Sequence, residues 1–194
     1  MPEYTAIEAD EENDWIIIEK LMYKYVLNNK PSKTIKLFAT DVDGVLTDGG
    51  RYYSEKGEIM KRFHVRDGMG INILLRNGIQ TAIVTKENSK IVKKWAKEMN
   101  VSKTYSGIKI KEEEVEKICK YYKILPAEIA FIGDDVNDIK LMRKVGFAVT
   151  PSDGILQAKK IANYICKTSG GNGALREMID LILKEKFSNK TNWY

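Results

Sequence analysis

Two aspartates, Asp41 and Asp43, stand two residues apart where the apolar run Ile35-Lys36-Leu37-Phe38-Ala39 meets a glycine-bearing stretch, Gly44 to Gly50. Alternate side chains on a strand share a face, so both carboxylates point the same way. A short apolar run of this kind reads as a buried parallel strand, and ligands bind at the carboxyl ends of such strands. Two acids and a tight loop there suit a divalent cation and a phosphate. The ordinary alternative is a loop of Asp and Gly that turns the chain and caps a helix.

Three further segments supply what such a pair would need. The run Gln80 to Val84 ends at Thr85, whose hydroxyl and following amides suit phosphate at a helix N-terminus, or else cap a helix beginning near Asn88. Ala130-Phe131-Ile132-Gly133 leads into Asp134-Asp135-Val136-Asn137-Asp138, a second strand ending in acids. Packing gives no reason for three carboxylates in five residues, so metal binding is the better reading. Lys111 opens a helix after Gly107; alone it would pass for surface filler.

These residues must be held by elements that alternate along the chain. Strands are predicted at 35–40, 80–85, 129–133 and 146–149, and helices at 67–77, 88–99, 111–123, 135–144 and 172–186. Such alternation argues for βαβ units and a parallel sheet. Between Gly49 and Phe63 the pattern changes: Arg51-Tyr52-Tyr53 and Glu58 to Phe63 flank Ser54-Glu55-Lys56-Gly57, which reads as a β-hairpin too small to be a lid domain. Residues 1–32 form a separate appendage, with an acidic patch from Glu8 to Asp14 and an amphipathic helix predicted from Trp15 to about Leu27.

Composition excludes several function classes. The 194 residues are 43% hydrophobic and 30% charged, as in an ordinary globular protein with a substantial core. Lys and Arg outnumber Asp and Glu by 32 to 27, but the excess is dispersed and carries no aromatic-basic motif for nucleic acid. Cys119 and Cys166 are far apart, and with the single His64 they make no zinc spacing. Cys119 shares a helical face with Val115, Ile118 and Tyr122, so a buried free thiol is expected. The acidic N-terminus is unlike a signal peptide and no run reaches transmembrane length, so the chain is expected to be cytosolic, with no membrane partner.

The order Asp-x-Asp, Thr, Lys, Gly-Asp-Asp resembles the haloacid dehalogenase superfamily of phosphotransferases over roughly residues 33–187, with DVDGVLTDG its most specific segment and GDDVND in support. The short hairpin in place of a cap domain, MKRFHVRDGMGI and GGNGALRE look like the phosphatases of 3-deoxy-D-manno-octulosonate 8-phosphate and of nine-carbon nonulosonate 9-phosphates. The resemblance implies a Rossmann-like parallel sheet flanked by helices, in a phosphatase domain spanning 33–194. It makes Asp41 the nucleophile and Asp43 the general acid and base. Mg²⁺ would be held by Asp41, Asp134 and the backbone carbonyl of Asp43. Thr85 and Lys111 would offset phosphoryl charge, while Asp135 and Asp138 orient Lys111 and the metal's waters.

The substrate implied is a small sugar-acid phosphate, contacted by Arg66, Glu87 and Arg176. The octulosonate enzymes usually follow the motif Thr with Gly-Arg, whereas Lys86-Glu87 here leans toward a nine-carbon, sialic-acid-type ester. Lys86 fits neither group, and Arg66-Asp67-Gly68 follows the octulosonate version. Residues 1–19 are similar to the closing segment of N-acylneuraminate cytidylyltransferases, which also favours nine carbons and raises a fused or derived synthetase. Enzymes of this type are homotetramers; by that analogy the hairpin packs at the interface, and Gly170–Gly173 with Arg176 reaches a neighbour's pocket. The rival readings are a non-catalytic tetramerisation module, which would need none of the acids, and a phosphomutase, for whose helical cap the 23 residues from Asp43 to Val65 are too few.

Overall fold

The computed structural model describes Asp14, residues 33–187 and residues 190–193. The appendage 1–32, with its predicted helix and its cytidylyltransferase-like segment, otherwise lies outside the described residues. Apart from Asp14, the described residues all belong to one compact unit, Pro31–Tyr194.

Six strands form one parallel sheet: β1 (Leu37–Thr40), β4 (Gln80–Thr85), β5 (Lys103–Ser106), β6 (Ile129–Ile132), β7 (Phe147–Thr150) and β8 (Tyr164–Ile165). Their spatial order is β5-β4-β1-β6-β7-β8. β1 lies inside the sheet with Thr40 opposite Ile83 of β4 and Ile132 of β6, so the carboxyl ends of the three strands come level. The strands β1 and β6 are buried along their whole length, as the near-continuous apolar runs require of a sheet covered on both faces.

Alternation along the strands divides the core in two. Phe38, Ile83, Ala130 and Val149 pack on one face, beneath α1 (Val65–Arg76), α2 (Lys90–Glu98) and α6 (Ala174–Phe187). Leu37, Ala39, Val84, Phe131 and Ala148 pack on the other, beneath α3 (Glu114–Tyr122), α4 (Ile139–Met142) and α5 (Leu156–Ile161). Asp67 on α1 ties two helices of the first face together, because its buried Oδ1 accepts the Arg176 N–H in the first turn of α6 at 2.8 Å.

The hairpin is present as β2 (Tyr52–Ser54) paired antiparallel with β3 (Gly57–Met60). Several elements depart from expectation. β5 and β8 are strands that periodicity does not reveal, since only Tyr105 of the polar Lys103–Ser106 is buried and β8 has two residues. The helix predicted at 135–144 shrinks to α4, because the Asp138 carboxylate binds the backbone of Asp134 and Asp135 and holds that segment as a turn. Lys111–Glu113 is a 3-10 turn leading into α3 rather than its first residues. Cys166 is buried and Cys119 only half-buried; both thiols are free. Among the described residues, no helix is long and apolar enough to cross a membrane.

Candidate active site

The carboxyl ends of β1, β4 and β6 open into a cavity of about 700 Å³ whose lining includes Asp41, Asp43, Thr85, Glu87, Asp134 and Asp135. The sheet therefore brings together residues up to 96 positions apart, from Asp41 to Asn137. Lys111 joins them from beneath. Its side chain is 1% exposed, with Nζ 2.8 Å from Asp41 Oδ2 and 2.7 Å from Asp138 Oδ1. Burial favours the neutral Lys111 amine, but the two carboxylates outweigh it and hold the ammonium above its usual range.

Asp138 is fully buried and spends both oxygens within the site: Oδ1 on Lys111, Oδ2 on the N–H groups of Asp134 (3.1 Å) and Asp135 (3.3 Å). Carboxylate oxygens of Asp41, Asp134 and Asp138 lie within 4.8 Å of one another. With Asp138 so engaged, Asp41 and Asp134 are the carboxylates left to hold a cation. A divalent ion fits them. Asp134 Oδ1 is buried with no hydrogen-bond partner. Burial, with Asp41, Asp138 and Asp135 nearby, pushes Asp134 up to about 8. Burial and Asp138 push Asp41 up to about 7 against the pull of Lys111. Oxygen ligands crowded to this degree are what a hard dication relieves. Gly44 makes room for them: at φ +86°, a Cβ there would lie 2.1 Å from Asp134 Oδ2.

Thr85 is buried, and its Oγ1 accepts the Glu87 N–H at 3.2 Å. It does not cap α2, whose N-cap is Ser89. Asp135 is exposed and accepts only the Val136 N–H among the hydrogen bonds of its side chain, so it turns the loop and does not touch Lys111. Glu87 lines the cavity, but its carboxylate is paired with the Arg51 guanidinium and stands 3.6 Å from Lys61 Nζ.

Arg66 and Arg176 stand away from the cavity of this chain. Arg66 is exposed on α1 and does not line the cavity of this chain. Arg176 binds Asp180 at 2.7 Å and faces a second cavity of about 560 Å³ with Met69, Ile73, Arg76 and Trp193. Part of the loop before α6 packs on its own chain: Gly171 N–H donates to Val45 O at 2.9 Å, and a Cβ on Gly170 would meet Gly44 O at 1.9 Å. Gly170 and Gly171 thus back the Asp41–Asp48 loop of their own chain.

Lys61 is the residue that sequence reading misses. Its side chain is 0% exposed, with Nζ 2.5 Å from Asp43 Oδ1 and 2.8 Å from Glu58 Oε1. Burial favours the neutral amine, yet the adjoining carboxylates of Asp43 and Glu58 raise it above its ordinary value. In the sequence a lysine beside Arg62 at the end of a hairpin reads as solvated, and no spacing signal sets it apart. Arg51, 3.8 Å from Asp43, escapes notice for the same reason.

Comparison with known proteins agrees with this geometry. A family model described as haloacid dehalogenase-like hydrolase matches residues 81–178. The 3-deoxy-D-manno-octulosonate 8-phosphate phosphatase of Haemophilus influenzae is 36% identical over 152 residues, 78% of this chain and 84% of the relative. The Yersinia pestis phosphatase of the same name is 36% identical over 155 residues, 77% of this chain and 80% of its own. Among solved structures, the Moraxella catarrhalis octulosonate phosphatase in complex with magnesium, phosphate and KDO superposes with a TM-score of 0.78 at 39% identity, covering 82% of this chain and 91% of that one. The cobalt-bound Haemophilus influenzae enzyme gives 0.78 at 35% identity over 79% of this chain and 90% of that one. These relatives bear the name of the eight-carbon ester's phosphatase, whereas the nine-carbon expectation rests on Glu87 and the N-terminal segment. This chain belongs to the haloacid dehalogenase-like hydrolases, and within them to the phosphatases of the octulosonate 8-phosphate phosphatase type.

Proposed function

We propose that this chain hydrolyses 3-deoxy-D-manno-octulosonate 8-phosphate with Mg²⁺, through a phosphoryl group carried on Asp41. The observation that carries the reading is the buried Asp41–Lys111–Asp138 chain beside the partnerless Asp134 oxygen, beneath a cavity sized for a sugar acid.

Asp41 attacks phosphorus, and the bond from phosphorus to the sugar oxygen breaks. The proton of Asp43 passes to that oxygen, which leaves as the free hydroxyl. Asp43, now a carboxylate, takes a proton from water; the water oxygen attacks phosphorus, the Asp41–phosphorus link breaks, and phosphate departs. Lys111 keeps Asp41 oriented from beneath and adds fixed positive charge near the transferred group. Thr85 presents its hydroxyl and the adjoining amides from the end of β4. Mg²⁺, held by Asp41, Asp134 and the backbone carbonyl of Asp43, would neutralise charge on the phosphoryl oxygens.

Glu87 on the cavity wall favours one second reading, a nonulosonate 9-phosphate whose hydroxyls or amine would donate to it. Phosphate release from the two esters side by side with Mg²⁺ tests the choice. Preference for the eight-carbon ester is expected; preference for the nine-carbon ester refutes it, and release from neither refutes the phosphatase. Asp41→Asn should abolish turnover and leave the fold intact.

The hairpin exposes Tyr52, Tyr53, Ile59 and Met60, and the start of α1 exposes Val65 and Met69. Apolar surface of this extent is a reason for association. A homotetramer burying it is the proposed assembly, and light scattering of the eluting protein would read its mass.

A further inference from the structure

We propose that Lys61 is the positioning residue for Asp43: it holds the carboxylate where its proton meets the leaving oxygen and, afterwards, the water. The inference rests on the phosphatase reading above.

Four observations carry it. First, the Lys61 side chain is wholly buried, so its three ammonium protons have no water to satisfy them and must be spent on neighbours. Second, among the described residues Lys61 gives the only hydrogen bond to the Asp43 side chain, at 2.5 Å to Oδ1. Third, the post is anchored from two sides. Glu58 of β3 holds Nζ at 2.8 Å through Oε1, while its Oε2 accepts the Ser89 hydroxyl at 3.0 Å. Lys61 is thereby braced against the hairpin and against the segment that follows β4. Fourth, Asp43 lines the cavity half-buried, and its Oδ2 takes no hydrogen bond among the described residues, the Arg51 guanidinium standing 3.8 Å away.

One oxygen is gripped and the other is left without a hydrogen bond. An acid that must serve two steps in one turnover needs its rotamer held through both, and a charge-assisted hydrogen bond from a braced donor does that. The bland account is that Lys61 only neutralises Glu58 and Asp43. A buried ion pair is a weak means of stabilising a fold, so that account predicts that an apolar replacement of the pair is harmless.

The two accounts part in a first-turnover experiment with p-nitrophenyl phosphate and Mg²⁺. Nitrophenolate leaves without a proton, so the first step hardly uses Asp43, while hydrolysis of the phosphorylated Asp41 uses it fully. For Lys61→Met, the first-turnover burst should stay within about threefold of wild type, and steady-state turnover should fall about 100-fold, the worth of a lost general acid–base contribution. With the sugar-acid phosphate both phases should fall by that factor. The double variant Lys61→Met/Glu58→Met removes one charge of each sign and leaves no unpaired Glu58 carboxylate, so it is expected to fold better than the single variant, and it should show the same split. Recovery of wild-type steady-state turnover in the double variant overturns the proposal, as does a burst that falls as far as the steady state. A wild type that hydrolyses the esters with an unchanged Lys61→Met overturns the Lys61 assignment alone. A wild type inert toward both esters overturns the phosphatase reading with it.

Discussion

Replacing Gly44 by alanine tests the metal-site geometry at its tightest point. Two costs can be worked separately. At φ +86° an L side chain adopts the left-handed region, at about 1–2 kcal/mol. The new Cβ would also stand 2.1 Å from Asp134 Oδ2 and 2.6 Å from its Cγ, so the carboxylate must retreat by more than about 1 Å to regain van der Waals contact. The first cost falls on stability, amounting to about 2–8 °C in Tm for a domain of this size. The second falls on chemistry, where a misplacement of about 1 Å costs on the order of 10²-fold in rate. Gly78→Ala separates the two: φ is +74° there but nothing lies within 4 Å of an added Cβ. Both variants should melt lower than wild type by similar amounts. Only Gly44→Ala should bind Mg²⁺ more weakly, read by calorimetric titration, and lose about 100-fold in kcat. Wild-type Mg²⁺ affinity and kcat in Gly44→Ala would refute the placement of Asp134 at the metal.

Asp138→Asn removes one of the two carboxylates on buried Lys111 and sets an amide against two backbone N–H groups; it should cost about 3–5 kcal/mol in stability and lower kcat at least 100-fold, by melting and steady-state assay. Asp134 near 8 and Asp41 near 7 are raised from their ordinary 3.8, so the folded metal-free protein holds protons that the unfolded chain has released, and it loses stability as pH rises from about 4 through 8. Mg²⁺ must displace those protons. Its stabilisation, about 2.7 kcal/mol at a hundredfold excess over Kd, should therefore be larger at pH 8.5 than at pH 6; equal Tm shifts at the two values would contradict the raised acids. Glu177→Gln should leave kcat unchanged and cost about 2–3 kcal/mol in a denaturant titration. Glu177 accepts from the Tyr164 hydroxyl, the Lys167 and Thr168 amides and the Thr168 hydroxyl at 2.6–3.0 Å, and an amide nitrogen cannot accept at all.

The inner strands of the sheet and the acids at their ends are legible in the residues alone. Apolar runs of three or four residues leading to Asp41, Thr85 and Gly133-Asp134 are local signals, because a strand buried on both faces must be largely apolar and must stop where the chain turns polar. The edge strands β5 and β8 have no such signal, since an edge strand is half solvated and its residues look like loop. Which charged side chains are buried is settled by packing. Lys111 at 1% and Lys61 at 0% exposure carry no mark in the sequence that separates them from the exposed Lys86. Their burial is set by partners 27 to 70 residues away for Lys111 and 18 away for the Lys61–Asp43 contact, through the meeting of β1, β6 and the hairpin. Packing also makes Asp67, Arg176 and Glu177 brace α1, α6 and the Tyr164–Thr168 segment, away from the cavity lining. Periodicity records which face of an element is apolar. It does not record which charge will meet which, and that is settled only when elements distant in sequence pack together.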